Sequence, residues 1–82
     1  MKKIIFVCHG NICRSVAAEY IMKSLTNNYV IVSRATSYEE IGNDIYPPMK
    51  RELLKNNIHF DRHYATRIDY KDYESSDYIF YM

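Results

Sequence analysis

The 82-residue chain sets 11 Lys and Arg against 10 Asp and Glu, a formal net charge of +1. So even a balance builds no long-range field for a nucleic acid or a membrane surface, and binding has to come from local geometry. Its two cysteines are too few for a secreted disulfide framework, and no signal peptide or long apolar span is read in it, which places the protein in the cytoplasm. The nine tyrosines read as half-buried packing rather than as a set of phospho-acceptors.

Residues 2–8, with the apolar run Ile4-Ile5-Phe6-Val7, predict a first buried strand, and a helical pattern opens near Ser15. Between them lies Cys8-His9-Gly10-Asn11-Ile12-Cys13-Arg14-Ser15, a strand-to-helix turn. Such a turn aims successive backbone N–H groups and the positive end of the helix at one point, which suits an oxyanion and phosphate in particular. Cys8 stands where the helix terminus and the Arg14 guanidinium favour a thiolate over a thiol, so it reads as an activated nucleophile. Arg14 offers a planar fork to two phosphate oxygens. Gly10 and Asn11 are types that tolerate the positive φ an inward-folding cradle uses, and Ser15 can cap the helix or hydrogen-bond the Cys8 sulfur. His9 reads as a solvated loop residue without acid-base duty.

From Ser15 the apolar residues Ala18, Ile21, Met22 and Leu25 recur at helical spacing, Glu19 precedes Lys23 by four, and Asn27-Asn28 stops the run. Tyr29-Val30-Ile31-Val32 predicts a second strand, and strand, helix, strand in so few residues implies a crossover to a parallel neighbour in an α/β sheet. Ser33 to Tyr46, with Gly42-Asn43, reads as a long loop near the strand ends. Pro47-Pro48 opens a helix carrying Met49, Leu53 and Leu54, closed by Asn56-Asn57. Ile58 to Arg67 has no decipherable pattern. Asp69 caps a short turn through Tyr73, and Tyr78-Ile79-Phe80-Tyr81-Met82 predicts a third strand. A parallel sheet ending there leaves an open edge, and pairing of two copies through that third strand is one way to cover it.

The pattern Cys-x5-Arg-Ser between an apolar strand and a helix resembles the low-molecular-weight protein tyrosine phosphatases. Ala18-Glu19, Ser33, Ala35, Ile41-Gly42-Asn43, His63-x-Ala65 and Asp77-Tyr78-Ile79 also resemble that family's pattern and spacing. The resemblance covers the whole chain and roughly the N-terminal half of the family. It implies a three-layer α/β sandwich with a flavodoxin-like parallel sheet, strand order 2-1-3-4 in the parent fold, here truncated after the third strand as one partial domain over 1–82. It implies Cys8 as nucleophile, Arg14 as oxyanion holder and Ser15 as support for the thiolate, with phosphate cradled by His9, Gly10, Asn11, Ile12, Cys13 and Arg14. Cys13 would be the redox partner of Cys8. No metal and no cofactor is implied. The substrate would be a phosphotyrosine protein or a small aryl phosphate. Val16 replaces the family's usual proline, and Thr66 stands where the family often has Arg, so an ion pair is expected to be missing. The family's late Asp-Pro general acid has no counterpart, and Asp44 is a poor substitute because Ile45, not Pro, follows it. The general acid is therefore left unassigned. Two other readings remain open: a non-catalytic module that binds phosphate or a phosphopeptide, and a thioredoxin-coupled arsenate reductase, which needs further cysteines.

Overall fold

The computed structural model describes residues 1–82 and holds three strands and three helices: β1 (Lys2–Cys8), α1 (Arg14–Leu25), β2 (Tyr29–Ala35), α2 (Pro47–Lys55), α3 (Tyr70–Ser75) and β3 (Tyr78–Tyr81). The strands form one sheet in the order β2-β1-β3, and both pairings are parallel. The expected open α/β sheet is thus present, with its first three strands in the expected order. β1 takes the centre because it is apolar on both faces: Ile4, Ile5, Val7 and Cys8 are all buried.

Register sorts the side chains into two layers. Ile4, Phe6 and Cys8 lie beside Ile31, Ser33 and Ala35 on the face that α1 covers, where the Ser33 hydroxyl donates to Glu19 Oε1 at 2.6 Å. Ile5 and Val7 lie on the opposite face, packed with Ile68, Val32 and Ile79. Arg34, beside Val7 on that face, reaches α3 through Nε to Asp72 Oδ2 at 3.0 Å. α2 packs on α1 rather than on the sheet, through Leu53, Val16, Ala17 and Ile45. Among them the fully buried Ile5, Val7, Val16 and Ile45 each contribute roughly 1.5–3 kcal/mol on removal from water.

Several expectations are corrected. β2 does not end at Val32 but runs on through Ala35, because its polar residues find partners: Ser33 with Glu19, Arg34 with Asp72. The buried stripe of α1 is Ser15, Val16, Ala17 and Glu19, not the apolar set Ala18, Ile21, Met22 and Leu25; Ile21 and Leu25 are 44 % and 75 % exposed. Polarity misled here, since Ser15 and Glu19 are buried and fully hydrogen-bonded while the apolar residues lie displaced around the helix. Leu54 of α2 likewise faces solvent. α2 otherwise starts at Pro47 and stops before Asn57, whose φ of 58° ends the helix in the left-handed region. Asp69 caps α3 in a reciprocal box with Asp72: each carboxylate accepts the other's backbone N–H, at 3.0 and 3.1 Å.

Candidate active site: a cradle at the end of β1

The residues between β1 and α1 wrap around the Cys8 sulfur. Asn11 N–H donates to Cys8 Sγ at 3.3 Å, and the Cys8 thiol lies 3.0 Å from Ser15 Oγ. Ser15 Oγ also accepts from Asn11 Nδ2 at 2.8 Å, so its own proton has to point elsewhere. Its alternatives are a long 3.5 Å contact to the Arg34 carbonyl and the Cys8 sulfur. Once the thiol ionises, the hydroxyl turns to donate to the sulfur. Burial pushes the Cys8 thiol up, but the Ser15 hydroxyl and the backbone N–H groups of Ser15, Asn11 and Gly10 outweigh it and hold the pKa below the ordinary thiol value. The expected help from the Arg14 charge is not among the causes of this shift.

Asn11 organises the loop. It is fully buried with φ at 59°, a conformation that costs a residue with a Cβ about 1 kcal/mol or more and is maintained by its partners. Besides its contacts to Cys8 and Ser15, its Oδ1 accepts from Thr66 N–H at 3.0 Å, and its carbonyl lies 2.6 Å from His63 Nε2. A carbonyl only accepts, so Nε2 carries the proton in this arrangement. Thr66 thus serves through its backbone, and its hydroxyl donates to the Tyr64 carbonyl. Gly10 departs from expectation. Its φ is not positive, and an added Cβ would come within 3.3 Å of Glu40 Cγ, so close approach rather than backbone sign is what glycine provides here.

α1 begins without a side-chain cap and without an acidic residue in its first turn. Ser15 therefore does not cap it, and the first-turn N–H groups remain aimed at the cradle. Arg14, at the helix start, is exposed and enters no ion pair within the chain. The arrangement offers a thiol with donors converging on its sulfur and, at the adjacent helix start, an exposed guanidinium without an ionic partner in the chain. Ile12 contributes its carbonyl, which accepts from Tyr46 N–H at 2.8 Å, and Cys13 is the N-cap residue of α1. Both cysteines are free thiols. His9 stands at the mouth, its Nε2 3.1 Å from Glu39 Oε2, with both side chains largely in solvent.

Asp44 is committed elsewhere. Partial burial pushes its carboxyl up, but the Lys50 ammonium and the N–H groups of His63 and Ile45 hold it far below the usual carboxylate range, so it carries no proton to give. Sequence reasoning missed the roles of His63 and Asp44, which lie in or against the stretch without a pattern; apart from family spacing, no local signal marked them.

The sequence profile of the family described as low molecular weight phosphotyrosine protein phosphatase matches residues 3–82. The chain belongs to this family. A low molecular weight phosphotyrosine protein phosphatase of Rattus norvegicus is 40% identical over 90 residues, covering 99% of this chain and 54% of the relative. The crystal structure of a low molecular weight protein tyrosine phosphatase from Streptococcus pyogenes superposes with a TM-score of 0.97 at 42% identity, over 100% of this chain and 57% of that one. Vibrio vulnificus Wzb, solved in complex with benzylphosphonate, superposes at 0.93 with 25% identity, over 99% and 57%. The chain thus spans somewhat over half the length of each of these three proteins.

Proposed function

We propose that the protein hydrolyses phosphotyrosine or small aryl phosphate monoesters through a phosphocysteine at Cys8. The Cys8 thiolate attacks phosphorus as the aryl oxygen departs opposite it: an S–P bond forms, the P–O bond breaks, and its electron pair leaves on the phenolate. Water then attacks phosphorus, the S–P electron pair returns to sulfur to regenerate the thiolate, and inorganic phosphate leaves, the water protons passing to phosphate and solvent. Arg14 holds the equatorial oxygens, the N–H groups of the 9–15 loop receive the charge developing on them, and Ser15 steadies the departing thiolate. The carrying observation is the Cys8 sulfur at the focus of Ser15 Oγ and Asn11 N–H, beside an uncapped helix start. The benzylphosphonate held by the Vibrio relative adds weight to an aryl substrate.

No group within the 82 residues is assigned the proton for the leaving phenolate, since Asp44 is held ionised by Lys50 and the N–H groups of His63 and Ile45. General acid help is worth roughly 10²–10⁴ in rate, so the chain on its own favours good leaving groups such as p-nitrophenolate. The proposal includes reversible pairing of Cys8 with Cys13 under oxidants, residence in the cytoplasm where both thiols stay reduced, and a homodimer through β3. The test is turnover of p-nitrophenyl phosphate by the wild type, Cys8→Ser and Arg14→Lys. Cys8→Ser is expected to lose turnover while still binding phosphate, and Arg14→Lys to weaken both. Turnover retained in Cys8→Ser contradicts the covalent route.

A further inference from the structure

The cradle is braced from behind by two segments that meet at Asp44. Gly42 N–H donates to the Ala65 carbonyl at 2.8 Å and Ala65 N–H to the Asn43 carbonyl at 2.9 Å, which lays residues 42–46 beside 62–66. Asp44 joins them through its side chain. Its Oδ1 accepts from Ile45 N–H at 2.8 Å and from His63 N–H at 3.0 Å. Its Oδ2 takes Lys50 Nζ at 2.5 Å and Arg62 Nη1 at 3.3 Å. Every acceptor direction of the carboxylate is used, and two cations hold it in place.

The brace leads directly to the nucleophile. His63, held at its backbone by Asp44, is 9% exposed and donates from its ring to the Asn11 carbonyl. Thr66 N–H holds the Asn11 side chain from the same segment, and Tyr46 N–H holds the next carbonyl, that of Ile12. Asn11 in turn points its N–H at Cys8 and its amide at Ser15. We infer that Asp44 is a positioning residue for the nucleophile, acting in series through His63 and Asn11 on the donors that surround the Cys8 sulfur. Asp44 does not touch the reacting atoms. The inference borrows from the proposed function only the reading of Cys8 as nucleophile, and it is tested without turnover.

The experiment follows iodoacetamide alkylation of Cys8 against pH, read on the Cys8 peptide by mass spectrometry so that Cys13 does not contribute. It uses the 82-residue chain, Asp44→Ala, His63→Ala and the double variant, each checked for its far-UV circular dichroism. Asp44→Ala is expected to move the Cys8 midpoint upward and slow alkylation below it about threefold to tenfold. The double variant is expected to equal His63→Ala alone, because groups in series do not add. Lys50→Met removes an ion pair but leaves the Asp44 to His63 bond, and is expected to cost stability without moving the midpoint. Should Asp44→Ala lose its fold, the similarly sized Asp44→Leu is read in the same cycle: it fills the site but accepts nothing from the His63 N–H, so it too has to raise the midpoint. A midpoint unchanged in the folded Asp44 variant, or shifts that add in the double variant, overturns the inference. An ordinary midpoint already in the wild type would instead refute the activated thiolate of the proposed function.

Discussion

The cradle and the third strand are both built on β1, and they are finished to different degrees. At the cradle, Asn11 and Ser15 are wholly buried and every polar atom they bury has a partner. Along β3, Tyr78, Phe80 and Tyr81 are each about half exposed, with Phe80 resting on Phe6 at 5.8 Å between ring centres and only Ile79 turned into a core. One region is over-determined by hydrogen bonds that leave no alternative arrangement, the other by a few apolar contacts on one side of the strand. A region of the first kind responds sharply to single substitutions; one of the second kind yields locally and leaves distant chemistry alone.

The largest effect is expected from Asn11→Ala. It strips the partners of Thr66 N–H and Ser15 and puts alanine in a left-handed conformation, costing about 3 kcal/mol of stability. Urea denaturation is expected to report that loss, and phosphate affinity to fall with it. A stability within about 0.5 kcal/mol of wild type would break the contrast drawn above. Next in size is an acid effect at Asp44. Its folded pKa lies below the unfolded one, so the stability it confers is complete at neutral pH and is lost as the pH falls from the usual carboxylate range toward the folded value. The gap in stability between wild type and Asp44→Asn is therefore expected to narrow steadily on acidification below about pH 4, whereas a gap that widens there would contradict the ionised brace. The smallest effect is expected from Phe80→Lys. It removes two half-exposed stacking contacts, with Phe6 and with Tyr78, together worth about 1 kcal/mol, and leaves phosphate binding at the cradle unchanged. On gel filtration the same variant is expected to elute later than wild type; identical elution of both as monomers removes the β3 dimer.

How much of this was readable in the sequence follows the same contrast. Local patterns located β1, the turn into α1 and the helix starts at Pro47 and after Asp69, because each depends on neighbours within a few residues, but they stopped β2 three residues short. The brace was not readable. Asp44, His63 and Thr66 lie 33 to 55 residues from Asn11 in sequence, and they are joined to it through a carboxylate on a backbone N–H, a ring nitrogen and a second backbone N–H. The buried face of α1 was misjudged for a related reason. Ser15 and Glu19 look like surface residues until Asn11 and Ser33 supply their partners, while Leu25 looks like core until nothing packs on it. Polar networks hide from hydropathy patterns; their members become visible only when the fold closes them.

We propose that the loop between β1 and α1 is assembled around a nucleophilic Cys8 in this chain. The first test is rapid mixing of the reduced protein with p-nitrophenyl phosphate. A burst of p-nitrophenolate approaching one equivalent per chain is expected, absent in Cys8→Ser, with the phosphoryl group recovered on the Cys8 peptide after acid quench. Release that is linear from the start, with no phosphoryl group on Cys8 while inorganic phosphate still binds, would contradict it and leave an oxyanion cradle without covalent chemistry.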